Sequence, residues 1–161
     1  ATAGEVYVRG VAGERFCVRN SGALAVIEGT GDHCAEYMTG GYLVVLGKVG
    51  RNFGAGMSGG IAYVYDVDGN FDYFCNKGMV ELSKLDNDED VSRVKSMIQK
   101  HIDNTDSEHA KNILSNWSST QPKFIKVMPV EYKRALEEMK LKELDKKLEG
   151  IIEEEEIGGK A

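Results

Sequence analysis

The residues of greatest chemical promise stand together at Asp32-His33-Cys34. A cysteine nucleophile needs a base that faces it and takes its proton, so this cluster invites a thiol-catalysed reaction. On extended chain, adjacent side chains point to opposite faces, so His33 and Cys34 are expected to diverge. Cys34 also recurs with Phe16 and Phe53 at spacings of 18 and 19 residues, which reads as a core column. The same spacing puts Asp32 over Arg51 and near Glu14, predicting an ion pair. It puts Glu36 between Val18 and Ala55, an inward carboxylate that would need a partner. Glu36 and Cys34 are therefore the two positions whose roles stay open. Cys17, Cys34 and Cys75 are an odd, widely spaced set without a Cys-x-x-Cys pair, which excludes a zinc or redox motif and points to a reducing compartment. His101 and His109 lie among polar residues near helix ends, and Met38 and Met57 at equivalent core positions, so no metal site is expected.

Glycine-rich turns supply the other candidate chemistry. GVAGER, GTGDHC and GRNFGAGMSGG look like loose phosphate loops. A phosphate loop passes from a strand into a helix N-terminus, whose N–H groups hold the anion. Here each turn leads into another short extended stretch, and no Gly-Lys-Ser/Thr follows. The turns read as structural corners. The expectation is a chain with no catalytic, cofactor-binding or metal-ligating residue.

The elements that position these residues form a repeat. EVYVRGVAG (5–13), ALAVIEGTG (23–31), YLVVLGKVG (42–50) and IAYVYDVDG (61–69) align, each ending in glycine and each with valine fourth. Each begins with a Val/Ile/Leu/Tyr-rich strand, and a weaker extended stretch follows at 14–20, 32–38 and 51–57. Two short strands and two turns in 18–19 residues predict one coil of a right-handed parallel β-helix, in about four coils. On this alignment Val6, Leu24, Leu43 and Ala62, with Val8, Val26, Val45 and Val64, fill the interior. Tyr7, Ala25, Val44 and Tyr63, then Arg9, Ile27, Leu46 and Tyr65, form an outer face too apolar to be solvated. C-terminal helices, another domain or another chain should cover it. Ala1 lies only a few residues before the first strand, with no cap, so further coils are expected to precede it in a longer protein.

Composition changes near residue 70. Of 19 glycines, 15 lie in residues 1–69, while residues 70–161 carry 34 of the 46 charged side chains. Three units are expected: a β-helix over 1–85, a helical segment over 86–149, and an acidic tail or linker over 150–161. FDYFCNK (71–77) and MVELSKL (79–85) read as closing strands. Asp86, Asn87 or Asp88 would cap a helix carrying Val91, Val94, Ile98 and Ile102. Asp106 or Ser107 would cap a second with Ala110, Ile113, Leu114 and Trp117. SSTQP (118–122) reads as loop and FIKVM (124–128) as extended. Pro129 suits the first position of a long helix. A net charge of −6 argues against a nucleic-acid partner, and no apolar run could span a membrane.

These residues carry a family resemblance. GVAGERFCVRNSGALAVIEGTGDHCAEYMTGGYLVVLGKVGRNFGAGMSGGIAYVYDVDG resembles the GXGXG β-helix domain that ends the large chain of glutamate synthases. NWSSTQPKFIKVMPVEYKRALEEM is similar to the segment that closes that chain, so the likeness covers roughly 4–139. A formylmethanofuran dehydrogenase subunit carries a related glycine-repeat β-helix but would not explain the second segment. The resemblance implies an oxidoreductase that makes two glutamates from glutamine, 2-oxoglutarate and a reductant. Its FMN and iron–sulfur cluster would belong to a synthase barrel, and its FAD and NAD(P)H to a partner domain or subunit. This chain would be a non-catalytic structural domain packing the amidotransferase and synthase domains together, in the cytoplasm or a plastid. A free-standing β-helix interaction module is the alternative.

Overall fold

A computed structural model describes residues 1–159. Four strands stack in parallel: β1 (Glu5–Val8), β2 (Ser21–Ile27), β3 (Thr39–Val45) and β4 (Gly59–Tyr65). The chain returns from each to the next through an opposite wall at 15–19, 33–37 and 52–56, so three coils are completed rather than four. Strand content follows from β-branched and aromatic residues on a pleated, two-sided surface.

The opposite wall is not made of strands, contrary to the sequence reading. Left-handed residues alternate along it: Arg15, Cys17 and Arg19, then His33, Ala35 and Tyr37, then Asn52, Gly54 and Gly56, with φ between +55° and +72°. Each coil there is two overlapping turns, such as Val18 N–H to Arg15 O (3.3 Å) and Asn20 N–H to Cys17 O (3.2 Å). The alternation still aims backbone groups at the neighbouring coil. Arg15 N–H donates to Asp32 O and His33 N–H to Arg51 O, both at 2.8 Å. A ladder therefore exists without pleated geometry, which strand periodicity cannot reveal.

The interior column also needs correction at one coil. The registers are Val6–Ala25–Leu43–Ala62 and Val8–Ile27–Val45–Val64. The second repeat begins at Leu24, not Ala23. Between Ser21 and Leu24 the strand carries a bulge, two residues lying opposite the single Gly41. A one-residue slip sends every side chain to the other face. Ala25 and Ile27 thus point in, and Leu24 and Val26 point out. The inner core adds Cys34, Met38, Phe53 and Met57.

Helices of the same chain seal the outer sheet face. α2 (Asp88–Thr105) is capped by Asn87, whose Oδ1 accepts from Glu89 N–H at 2.8 Å. It ends at Asp106 in left-handed conformation. Ser107 caps α3 (Glu108–Ser115). Val94, Met97, Ile98, Ala110 and Ile113 pack on Val26, Val44, Leu46 and Tyr63 as a second core.

Three local readings change. FDYFCNK holds a single helical turn, α1 (Phe71–Phe74), after which Cys75 bridges Phe53. The segment read as loop is helical: α4 (Trp117–Thr120), then a 3-10 turn, Gln121–Lys123. Pro129 is the N-cap of the long helix and the last residue of a strand. That strand, β6 (Phe124–Pro129), pairs antiparallel with β4 and with β5 (Val80–Lys84). The sheet order is β1-β2-β3-β4-β6-β5. β6 and β5 thereby satisfy the β4 edge, which would otherwise present a row of unpaired backbone groups. α5 (Val130–Gly158) continues past Gly150 into the segment read as an acidic tail or linker. Lys160 and Ala161, the end of that segment, lie outside the described residues.

Candidate functional site

The Asp32-His33-Cys34 cluster is dispersed by the alternating backbone. Cys34 is 1% exposed inside the coil, and burial pushes its thiol up to about 12. His33 points outward, with Nδ1 2.8 Å from Glu36 Oε2. Glu36 is therefore not the inward carboxylate anticipated: it is half-buried at the surface with the neighbouring imidazole as partner. Asp32 makes no side-chain ion pair with Arg51 among the described residues. Its Oδ1 accepts from the Arg51 backbone N–H at 2.7 Å instead, fastening one coil to the next. A buried protonated thiol and an outward imidazole held by a carboxylate do not make a nucleophile–base pair. Cys75 is likewise buried, its thiol also raised to about 12 by burial, and Cys17 is raised to about 11. All three thiols belong to the inner core, and no His/Cys/Asp/Glu group able to hold a metal occurs among the described residues.

Two polar clusters that the sequence reading missed lie between sheet and helices. Asp90, 4% exposed, sits in the first turn of α2. Its Oδ1 accepts from Tyr63 Oη at 2.7 Å and its Oδ2 from Lys126 Nζ at 2.6 Å. Arg93 donates to Tyr63 Oη at 3.0 Å and stacks 4.3 Å from the Tyr42 ring centre. Burial and the adjacent Asp90 carboxylate raise the Tyr63 phenol well above its ordinary value. β4, β6 and α2 are joined by this one carboxylate. At the other end of α2, fully buried His101 places Nε2 3.2 Å from Glu28 Oε1. Ser107 Oγ donates to the same oxygen, and Glu28 Oε2 accepts from Gly10 N–H at 3.0 Å. The signal was in α2 itself: Asp90 and His101 share a helix face with Val94, Met97 and Ile98, so polar residues stood on the apolar stripe.

Glu28 carries a pH dependence. Burial alone would raise its pKa, but bonds from Ser107, His101 and the Gly10 N–H outweigh that and hold it below the ordinary 4.5. A depressed folded-state value stabilises the fold above the unfolded value and is lost as pH falls through the folded one. Acidification below 4.5 should therefore weaken the fold at this corner. The urea midpoint is expected to fall between about pH 5.5 and 3.5, and to fall less in Glu28→Gln. Equal slopes in both proteins would contradict this assignment.

A cleft of about 370 Å³ opens at the coil corner beside Leu46, Tyr65, Phe71, Phe74 and His109. Two of its polar side chains, His109 and Asp66, are engaged with backbone groups. His109 Nε2 donates to Leu46 O at 2.5 Å, and the Asp66 carboxylate accepts from the N–H groups of Asn70 and Phe71, both at 3.2 Å. No described helix is long and apolar enough to cross a membrane.

The sequence profile of the GXGXG motif family matches residues 1–130, from the first coil to the start of α5. The chain belongs to the GXGXG family. Several relatives are similar over most of this chain. The glutamate synthase [NADPH] large chain of Bacillus subtilis is 46% identical over 158 residues, 98% of this chain and 10% of the relative. The glutamate synthase [NADH] of Schizosaccharomyces pombe is 51% identical over 137 residues, 85% of this chain and 6% of the relative. The chloroplastic ferredoxin-dependent glutamate synthase of Spinacia oleracea is 48% identical over 129 residues, 80% of this chain and 8% of the relative. The chain therefore spans a tenth or less of the length of these relatives.

Proposed function

We propose that this chain is a structural domain of a glutamate synthase large chain. In that enzyme glutamine and 2-oxoglutarate would yield two glutamates at the expense of a reductant. The observation that carries the reading is identity of about half across nearly the whole chain, confined to a small part of each relative. Relatives named for NADPH, NADH and ferredoxin match at 46%, 51% and 48%, as suits a domain remote from the electron donor. Amidotransferase and FMN-binding synthase domains would pack against the β-helix, with an NAD(P)H-oxidising, FAD-bearing domain or subunit as a further partner. FMN and the iron–sulfur cluster would be held outside this chain, which would contribute no catalytic residue. The compartment would be the cytoplasm or a plastid. A doubly packed body, with one core inside the coil and another under α2 and α3, has the rigidity a brace requires.

The full-length large chain tests this. Val45 is buried inside the coil and Val26 under the helices, and an unpaired carboxylate at either site costs upward of about 4 kcal/mol. Val26→Asp with Val45→Asp is expected to cut soluble yield and to release ammonia that the synthase half-reaction no longer captures. Normal yield with both half-reactions still coupled would overturn the scaffold reading.

A further inference from the structure

The wall of left-handed residues is the side of the coil left open. Arg15, Arg19, Tyr37, Arg51 and Asn52 are exposed, whereas the strand wall is sealed by α2 and α3. The coil-to-coil bonds align Arg15 with His33 and Asn52, and Arg19 with Tyr37 and Gly56. A Cβ at Gly56 would meet one edge of the Tyr37 ring at 2.5 Å, so that ring reaches over the next coil.

The outward residues on this wall are kept at a cost. The third coil fills its left-handed positions with Asn52, Gly54 and Gly56, which tolerate φ > 0. The first two coils hold Arg15, Arg19, His33 and Tyr37 at the same outward positions, each at roughly 1–2 kcal/mol of strain. Inward positions take small residues, Cys17 and Ala35. Strain retained for long hydrogen-bonding and aromatic side chains points to a role for those side chains. Arginine and tyrosine are enriched at protein interfaces and lysine is depleted. The three wall segments contain no lysine.

The unpaired arginine donors identify what the occupant must offer. None of Arg15, Arg19 and Arg51 pairs with a carboxylate among the described residues. Asp32 accepts from the Arg51 backbone N–H and Glu36 bonds His33, while Glu14, just before the first segment, has no side-chain partner among the described residues. The wall thus balances three arginines against Glu14, Asp32 and Glu36, but its exposed groups are mainly the three guanidinium forks and the Tyr37 ring, Asp32 and Glu36 being partly buried. We infer that this wall docks another domain of the same large chain, whose carboxylates are placed to form bidentate pairs with the three arginines. This rests on the domain reading above, in which nine-tenths or more of the polypeptide lies outside this chain.

Arginine modification by phenylglyoxal, read peptide by peptide in the native full-length large chain, tests the inference. Arg134, exposed on α5, is the internal reference. Arg15, Arg19 and Arg51 are expected to react about tenfold or more slowly than Arg134, and at the same rate after unfolding in urea. Arg15→Glu with Arg19→Glu should bring Arg51 to the reference rate while Cys34 stays unreactive to iodoacetamide, showing the coil intact. If Cys34 becomes reactive, Arg15→Gln with Arg19→Gln gives the same readout without charge reversal. Equal rates in the native wild type would overturn the inference and leave the domain reading standing. Protection that fades on dilution would place a second copy there and also overturn it. A native polypeptide no longer than 161 residues would remove both.

Discussion

Gly41→Val should remove a large part of the stability of the chain. Gly41 has φ +81°, and a Cβ there would fall on the Ala23 carbonyl and lie 2.9 Å from Asn20 Nδ2. Asn20 is 3% exposed and holds the bulge together: Nδ2 donates to Ala23 O and Oδ1 accepts from Ala23 N–H, each at 3.0 Å. The substitution adds left-handed strain of about 1–2 kcal/mol and strips a buried amide of its bonds, about 1–3 kcal/mol more. Forcing apart two coils raises the total to about 4 kcal/mol or more, a large share of the stability of an ordinary domain. Gly69→Ala is the control: φ there is +72°, but nothing lies within 4 Å of the added methyl. Urea midpoints measure the difference. A Gly41→Val midpoint equal to that of Gly69→Ala would mean that coil spacing is not set at this glycine.

Asp90→Ala ranks next. Removing one member of a buried charge cluster strands its partners, typically at about 3–5 kcal/mol. Here the loss uncovers Lys126 and Arg93, whose side chains are 18% and 22% exposed, and leaves Tyr63 Oη without its acceptor. For a chain of this size the melting temperature should drop by roughly 10 °C. Asp90→Ala combined with Lys126→Met should recover part of the loss, because the stranded ammonium is gone. A drop under about 2 °C in the single variant would show that the cluster only decorates the sheet–helix interface.

Much of this architecture is legible in the sequence, and the exceptions have physical causes. The period shows because stacked coils put the same side-chain type into the same column, as in Val8, Val45 and Val64. Helix boundaries show at Asn87 and Ser107 because a cap needs a short acceptor side chain. The second register was lost because the bulge at Ala23 adds a residue without changing the apolar pattern: Ala23, Ala25 and Leu24 read alike. The alternating wall was lost because Arg15, Arg19, His33 and Tyr37 do not announce left-handed backbone as glycine would. The covered outer face was foreseen, and its cover, α2 and α3, follows from helices whose apolar stripes need a partner. The polar clusters around Asp90 and Glu28 depend on partners 27 to 79 residues away, which spacing within one element cannot show.

The account stands most directly on the size and colour of the native protein. An antibody raised against this chain can isolate the polypeptide from its source for intact mass and a visible spectrum. A polypeptide far above 17.7 kDa that carries flavin absorbance is expected. A colourless protein near 17.7 kDa would contradict it, and the likeness to glutamate synthases would then describe ancestry alone.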